Sequence, residues 1–410
     1  ISRLCILNKI TMESLTIKNL DELKCLKDNI NLIELIICID KEPFVLGDIS
    51  FLNKLKSLKI EGLITEITEL PPEIEKLEIT HPKYNNKEVL NDLNALETLK
   101  KLKTLSIKNI ATSAKNYRSI SGLINLESLC IANNKNFKNT KNLLKLNKVV
   151  NLDLSDCKYM KEIPGVVNMS QLKMLNLYGC ERLQNLDSMI NLKEIESIEL
   201  GYCIDLENID GLANATMLKK LVINLDYTRS GRHTRKLRSI DVLKSCISLE
   251  ELVLNKCYSV QSFSSIGDLK NLKKLRIFDA FSRTDNKDKN INFLRNIQNL
   301  EDLDISFYHR SVKDLTIISH LKNLKKLRLC GWDLLESING IQECIEMEIL
   351  DLSSCKSLKT IKEILELKKL NYLHVGGTNL TPDPGKFGKQ FSSEMLLMEI
   401  NEYKQKFKIT

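Results

Sequence analysis

Residues that break regular structure or favour disorder are scarce in this sequence. Only 15 of its 410 residues are glycine and 7 are proline, a composition that excludes a collagen-like chain and argues against a disordered one. Lys, Glu, Asn or Asp interrupts every hydrophobic stretch within a few residues, so no segment is long enough to cross a bilayer as a helix. We also expect no secretory signal peptide. The sequence opens at Ile1 rather than at Met, as it would after removal of a leader or an upstream domain.

The motifs of common catalytic and cofactor sites are lacking too. The segment 385–389 has neither the spacing nor the Ser or Thr of a phosphate-binding loop. No C-x-x-C pair occurs among the 12 cysteines, and the 5 histidines show no ligand spacing among themselves. We therefore expect no catalytic residue, no metal and no cofactor in this chain. The net charge of +8 is modest for this length and does not by itself indicate a nucleic-acid partner.

A repeat of about 23 residues dominates the sequence. One unit reads V-x-x-L-x-L-x-x-C over residues 149–157, and the next reads L-x-x-L-x-L-x-x-C over residues 172–180. The central leucines of these two units are 175 − 152 = 23 residues apart. Equivalent residues recur along the chain and predict sixteen strands, centred on Leu15, Leu35, Leu58, Leu77, Leu105, Leu129, Leu152, Leu175, Ile198, Leu221, Leu252, Leu275, Leu303, Leu327, Leu350 and Leu373.

The pattern within one unit predicts its local structure. Two leucines separated by one residue lie on the same face of a short strand. After the cysteine, apolar residues recur at every third position, as at Leu183, Leu186, Met189 and Leu192. A three-residue period favours 3-10 turns over an α-helix. We therefore predict an α/β solenoid with a parallel concave sheet and a convex side of 3-10 turns and short helices.

Cysteine recurs at the position where the chain leaves the strand. We interpret it as an inward-pointing side chain whose thiol, a weak donor, satisfies backbone groups of the turn. A metal or redox ladder is the less favoured alternative, because metal ligands must converge from different directions. Trp332 and Tyr308 fall at the same position, and we interpret them as structural fillers. The cysteines at this position are Cys157, Cys180, Cys203, Cys257 and Cys355.

With these motifs, the sequence resembles the leucine-rich repeat family over nearly its whole length. Its units of about 23 residues, with Cys in place of the more usual Asn, are similar to those of plant immune-receptor repeat domains and of some protozoan repeat proteins. The resemblance implies a leucine-rich repeat horseshoe whose curved parallel sheet binds partners on its concave face. It does not identify the partner.

The distribution of cysteines bears on the cellular compartment. Secreted repeat proteins of this family usually close their ends with disulfide-bonded caps, whereas the last thirty residues of this chain contain no cysteine. Three Asn-x-Ser/Thr triplets, which begin at Asn168, Asn214 and Asn379, point the other way, but such triplets often arise by chance. We expect an intracellular, cytoplasmic protein.

Three units are longer than the rest. The spacing is 252 − 221 = 31 residues after Leu221, and 28 residues after both Leu77 and Leu275. Insertions in repeat proteins form loops on one face. The longest one, residues 226–238, gathers arginines that suit an acidic or phosphorylated partner. An ordinary solvated loop is an equally weighted alternative for this segment.

Exposed strand positions complete the expected binding surface. Aromatic residues beside arginines are the types enriched at binding hot spots. We expect a protein partner to bind on the concave face and its loop rim. The residues expected to contact it are Asp153, Tyr178, Glu199, Tyr202, Tyr227, Arg229, Arg232, Arg235, Lys274, Arg276, Phe278, Phe307 and Arg328.

The ends of the chain differ from its middle, as the ends of a solenoid must. We expect residues 1–30 to form an N-terminal edge or truncated repeat, residues 31–380 the solenoid, and residues 381–410 a C-terminal cap with an amphipathic helix over 392–400. The leading function is an intracellular scaffold or recognition domain for protein–protein interaction. One alternative is a regulatory adaptor of an enzyme such as a phosphatase or a ubiquitin ligase. Another is binding of nucleic acid or a phospho-ligand through the 226–238 loop.

Overall fold

The computed structural model divides the chain into two compact units, Ile1–Leu206 and Glu207–Thr410. The residues that the structure describes are 13–24, 26–28, 30–82, 90–110, 112–226, 236–278, 280, 290–306 and 312–380, together with the backbone of 394–395.

The first unit is built on parallel strands that follow one another along the chain. Each strand pairs with the next, and the equivalent apolar residues lie opposite each other, from Leu15 opposite Leu35 on to Leu175 opposite Ile198. Because a slip of one residue would turn every buried leucine to the surface, the repeat fixes this register. The strands are β1 (Ser14–Ile17), β2 (Glu34–Leu46), β3 (Ser57–Ile67), β4 (Lys76–Thr80), β5 (Thr104–Lys108), β6 (Ser128–Cys130), β7 (Asn151–Asp153), β8 (Met174–Asn176) and β9 (Ser197–Gly201).

The second unit is built on the same plan. Its parallel strands align Leu221 with Leu252 and so on to Leu373. All sixteen strands predicted from the repeat are therefore present, with their leucines in register. These strands are β10 (Lys220–Asn224), β11 (Glu251–Asn255), β12 (Lys274–Phe278), β13 (Asp302–Asp304), β14 (Lys326–Arg328), β15 (Ile349–Asp351) and β16 (Tyr372–His374).

The C-terminal segment differs from the prediction where the structure describes it. Glu394–Met395 forms a last strand, β17, which pairs antiparallel to β16. The helix predicted over 392–400 is therefore wrong at these two residues. Backbone groups at the edge of β16 are available for pairing, which favours an extended segment there. The rest of the predicted cap, like residues 1–12 of the predicted N-terminal edge, lies outside the described residues.

The return segments are 3-10 turns, as the three-residue period predicts. The buried residues Leu183, Leu186, Met189 and Leu192 show the period directly, because each is at most 2% exposed. One short α-helix, α1 (Leu20–Leu23), follows β1. The 3-10 segments of the first unit are Leu26–Asp28, Asn94–Thr98, Ala114–Gly122, Lys141–Leu143, Pro164–Asn168 and Asp187–Met189. Those of the second unit are Asp210–Leu212, Asp241–Ser245, Ser264–Asp268, Asn292–Asn296, Thr316–Ile318, Ile341–Glu343 and Lys362–Glu366.

Strands β2 and β3 are longer than the repeat predicts, with 13 and 11 residues. A register shift between Ile39 and Phe44 restarts their pairing, so that Phe44 lies opposite Ile64. At Gly62, where φ is +145°, a Cβ would lie 1.8 Å from the carbonyl oxygen of Ile39. Only glycine fits this close approach, which allows the two strands to continue past the irregularity.

Two side chains complete the hydrogen bonding where a strand ends. In the β7 repeat, the Ser155 amide donates to Asp153 Oδ1 at 2.9 Å, and Cys157 Sγ donates to the Ile131 carbonyl at 3.0 Å. Both backbone groups would otherwise be left without partners as the strands separate. The same two bonds recur from Asn176 and Cys180, from Glu199 and Cys203, and from Asp351 and Cys355.

The structure confirms the interpretation of the inward position. Asn134, which holds this position in the β6 repeat, donates to the Ile107 carbonyl at 2.8 Å. The indole N–H of Trp332, a side chain only 2% exposed, donates to the carbonyl of Ile305. Cysteine, asparagine and tryptophan therefore serve the same structural purpose in different repeats. Tyr308 lies outside the described residues.

Candidate partner-binding surface

The outward side chains of β7, β8 and β9 form a continuous surface in the first unit, which we call the β7–β9 face. The parallel register places Asp153 opposite Asn176 and Asn176 opposite Glu199, with neighbouring strands about 4.8 Å apart. A groove of about 530 Å³ runs over this face and extends to Lys108 of β5. The face comprises Asp153, Asp156, Met174, Asn176, Tyr178, Glu199 and Tyr202.

Two tyrosines form the aromatic part of the β7–β9 face. The rings of Tyr178 and Tyr202 have centroids 5.1 Å apart and planes inclined at 71°, an edge-to-face arrangement. Gly201 makes room for this pair, because a Cβ at that position would lie 2.7 Å from Tyr178 Cδ2 and 2.8 Å from Glu199 Oε1. The aromatic pair therefore depends on a glycine at the end of β9.

Tyr202 has a left-handed backbone, with φ of +59°. The same left-handed turn follows the strand in eight other repeats of the described part of the chain. In each of them, the residue four positions after the central leucine has a positive φ. A bulky side chain in this conformation is an outlier and is strained by about 1–2 kcal/mol. The residues at the equivalent position elsewhere are Asn109, Asn133, Asp156, Gly179, Lys256, Gly331, Ser354 and Gly377.

The charge of the surface over β6–β9 is of one sign. Its outward strand positions, together with the turn after each strand, hold three carboxylates and no Lys or Arg. The whole chain, by contrast, has a net charge of +8. The carboxylate of Asp156 lies against the next turn, at Gly179. A Cβ on Gly179 would lie 2.3 Å from Asp156 Oδ1, so glycine leaves the room that the carboxylate occupies. The positions are Ser128, Cys130, Ala132, Asn133, Asn151, Asp153, Ser155, Asp156, Met174, Asn176, Tyr178, Gly179, Ser197, Glu199, Gly201 and Tyr202.

Two of the predicted contact residues also have structural roles. The carboxylates of Asp153 and Glu199 accept the backbone bonds at the ends of their strands, at 2.9 Å in both cases. Asp153 also accepts a weak bond from Cys130 Sγ at 3.5 Å. Burial raises the pKa of the Cys130 thiol to about 11, and the nearby Asp153 adds to the shift. This thiol is therefore a hydrogen-bond donor at neutral pH, not a reactive thiolate.

The outward side chains of the second unit form an alternating series of charges. Lys274 lies 3.1 Å from Glu251, Arg276 lies 3.3 Å from Asp304, and Arg328 lies 3.0 Å from Asp302. Burial alone would raise the pKa of Glu251, but Lys274 and Lys220 hold it below its usual value. Lys274, Arg276 and Arg328, the expected contact cations that the structure describes, are thus paired with carboxylates on neighbouring strands. Phe278, at the end of β12, is half-buried.

Solved structures with the same architecture occur among leucine-rich repeat proteins. A leucine-rich repeat protein of Leptospira interrogans is 18% identical, with 90% of this chain and 95% of that chain covered and a TM-score of 0.62. An internalin of Listeria monocytogenes is 20% identical, with 76% and 77% covered and a TM-score of 0.55. The chain has the leucine-rich repeat fold. At these identities the likeness concerns the fold alone, and the sequence matches no protein-family model and no curated protein.

Five residues expected to contact a partner, Tyr227, Arg229, Arg232, Arg235 and Phe307, lie outside the described residues of this leucine-rich repeat chain. The basic loop over 226–238 therefore stays a prediction. Its described end includes Lys236, which forms an ion pair with Glu207 at 2.8 Å.

Sequence reasoning placed Asp156 on the concave face but missed Met174, Gly179 and the close approach of Gly179 to Asp156. Met174 is 56% exposed at the start of β8, although its apolar side chain suggested no surface role. The Asp156 side chain occupies the space that Gly179 leaves in the next turn. An alignment of the turn positions against one another would have exposed Gly179 and this close approach, since Asn, Asp and Gly predominate there and indicate a left-handed turn.

No group of three or more His, Cys, Asp or Glu side chains in the described part of the leucine-rich repeat chain could hold a metal ion. The helices in the same part of the chain also lack the length and hydropathy needed to cross a membrane.

Proposed function

We propose that this leucine-rich repeat chain is a protein-interaction module that binds its partner on the β7–β9 face. The observation that carries the proposal is the strained backbone of Tyr202. Eight other repeats build the same turn without an aromatic residue, so the architecture does not require one there. Strained residues that the fold does not require are a recognised mark of functional sites.

The composition of the face supports binding to a protein. The Tyr178–Tyr202 pair offers a large, rigid contact area with few rotatable bonds, which is the character of a binding hot spot. The exposed Met174 lines the groove over the same face, and its flexible side chain adapts to an apolar neighbour. The fold adds general support, because extended sheets of stacked repeats are used as binding surfaces.

The test is affinity capture with the immobilised chain and a matched pair of variants, Tyr202→Asn and Ser354→Asn. Asparagine occupies the same left-handed turn at Asn109 and Asn133, so both variants should fold. For Tyr202→Asn, relief of strain offsets the lost ring contact, and we expect the free energy of unfolding to change by less than about 1 kcal/mol.

We expect proteins retained by the wild-type chain and by Ser354→Asn to be depleted at least tenfold with Tyr202→Asn. Equal recovery on all three resins would contradict the proposal. The identity of the retained protein also tests the adaptor hypothesis, which requires that protein to be an enzyme whose activity changes when the chain is added.

A reducing compartment is part of the proposal. The ten described cysteines are free thiols, and six of them donate hydrogen bonds to buried backbone carbonyls. Oxidation would remove these donors and leave the carbonyls unsatisfied. Alkylation of the protein from its native source under denaturing conditions, followed by mass spectrometry, should show these thiols unoxidised. Disulfide-linked peptides from these positions would contradict an intracellular location.

A further inference from the structure

We propose that the β7–β9 face binds an extended segment of its partner that carries two lysines or arginines, two or three residues apart. This inference rests on the proposed function and specifies the chemistry of the partner.

Charge complementarity selects a cationic segment. The sixteen outward positions over β6–β9 hold Asp153, Asp156 and Glu199 and no cation, whereas the chain as a whole has a net charge of +8. The groove over this face is lined by the carboxylates of Asp153 and Glu199 and, at β5, by the ammonium group of Lys108. The excess of negative charge raises the local concentration of the opposite charge. A nucleic acid or another polyanion would be repelled from this surface, while an Arg- or Lys-bearing segment would be attracted to it.

The geometry sets the spacing of the two cations. Asp153 and Glu199 occupy aligned positions on strands separated by β8, so they are two strand spacings, or about 10 Å, apart. An extended peptide rises about 3.3 Å per residue, and a segment that crosses the strands covers this distance in about three residues. The long, flexible side chains of Lys and Arg also allow a separation of two residues.

The tyrosine pair suits the same partner. A cation within about 6 Å of a tyrosine ring is attracted by its face, and arginine forms such contacts most often. Tyr178 and Tyr202 are half-buried in the turns that follow β8 and β9, and Gly201 leaves room for Tyr178 and Glu199 to lie close together. An arginine there would contact a ring and a carboxylate together, which favours arginine over an apolar residue.

The chain itself shows which neutral residue can replace a carboxylate on this face without disturbing the fold. Asn176 holds the position equivalent to Asp153 on the next strand, and its amide oxygen accepts the Tyr178 amide at 3.0 Å. Asp153→Asn and Glu199→Gln should therefore keep the backbone bonds at the strand ends. The matched control is Asp351→Asn, because Asp351 accepts the Ser353 amide at 2.9 Å in the second unit.

The experiment measures binding of two labelled nine-residue alanine peptides by fluorescence polarisation. One carries arginine at its third and sixth positions, and the other carries glutamate there. We expect the arginine peptide to bind the wild-type chain and Asp351→Asn equally, and to bind Asp153→Asn/Glu199→Gln at least tenfold more weakly. The affinity should also fall as salt is raised from 50 to 300 mM, values chosen to shorten the Debye length to below about 10 Å.

Two outcomes would overturn the inference. One is equal binding, or no binding, of the two peptides at millimolar concentration. The other is arginine-peptide binding that the double variant leaves unchanged. If Tyr202→Asn still abolishes capture of a partner in either case, the proposed function stands and only the chemistry of the partner is wrong.

Discussion

Tyr117 is a fully buried residue in the core of the first unit. Its ring meets Phe137 edge-to-face, with centroids 5.0 Å apart. Its hydroxyl has no hydrogen-bond partner among the described residues, and burial raises the pKa of this group well above its usual range. A polar group buried without a partner destabilises the folded state by roughly 1–3 kcal/mol.

We therefore predict that Tyr117→Phe stabilises the protein. Removing the hydroxyl keeps the ring packing, so the free energy of unfolding should rise by about 1 kcal/mol or more. Chemical denaturation of the two proteins under one set of conditions measures the difference. A loss of stability would show that the hydroxyl is satisfied in solution.

The buried thiols make stability depend on alkaline pH. Burial raises the pKa of Cys157 and of Cys355 from the usual 9.0 to about 12. Between pH 9 and pH 12 the unfolded chain therefore binds fewer protons than the folded chain, and stability falls as pH rises. Below pH 9 both states are protonated and the contribution of these thiols is constant.

We predict that the free energy of unfolding falls between pH 9 and pH 10.5, by up to about 1.4 kcal/mol per pH unit for each thiol. The double variant Cys157→Ala/Cys355→Ala should be less stable at pH 8 but should show a shallower fall. Urea denaturation of both proteins at pH 8, 9 and 10.5 measures the free energy of unfolding and its fall with pH. Identical slopes for the wild type and the double variant would contradict the role of burial.

At the scale of single residues, the sequence predicted which residues face outward better than it predicted their hydrogen bonds. It placed Tyr178, Asp153 and Glu199 at outward positions, which the alternation of buried and exposed residues determines. Alternation alone does not place Tyr202, which lies in the left-handed turn after β9. The sequence did not predict that Asp153 and Glu199 also accept backbone hydrogen bonds. That role depends on how neighbouring strands separate beyond their last paired residues, which no pattern within one repeat reveals.

Among the elements, the 3-10 segment Pro164–Asn168 packs closely on its neighbour. Gly165 donates its amide to Thr140 Oγ1 at 2.7 Å, and a Cβ on Gly165 would lie 1.8 Å from the Thr140 carbonyl oxygen. The two return segments can approach only because the side chain is absent. Backbone atoms cannot move aside as the end of a flexible side chain can.

We predict that Gly165→Ala destabilises the first unit by about 3 kcal/mol or more, because one return segment must move away from the other. Gly47→Ala is the matched control, since a Cβ at Gly47 meets nothing within 4 Å. Thermal unfolding should show a clear fall in Tm for the first variant and almost none for the second. Equal effects would mean that loss of glycine flexibility, and not the contact, decides the outcome.

The strand positions could be read from the sequence, whereas the lengths of two strands could not. Each Leu-x-Leu pair buries two side chains on one face, which locates a strand wherever the pair occurs. The extension of β2 to Leu46 and of β3 to Ile67 depends on an irregularity that Gly62 accommodates. The repeat predicts a turn at that point, so its regularity conceals the extension.

For the molecule as a whole, the fixed period made the fold predictable and left the partner undefined. Equivalent positions in successive repeats carry different outward residues, because the repeat constrains only the buried ones. The first unit gathers tyrosines and carboxylates on β7–β9, while the second unit pairs its cations with carboxylates. Binding specificity therefore lies in the outward residues, which differ from repeat to repeat.

The most direct test of the central claim is hydrogen exchange of the chain alone and bound to the protein that it captures. If the β7–β9 face is the binding surface, backbone amides over 151–156, 174–179 and 197–202 should exchange more slowly in the complex. The 3-10 segments on the other side of the first unit should be unaffected. Protection confined to those 3-10 segments, or to the second unit, would contradict the account.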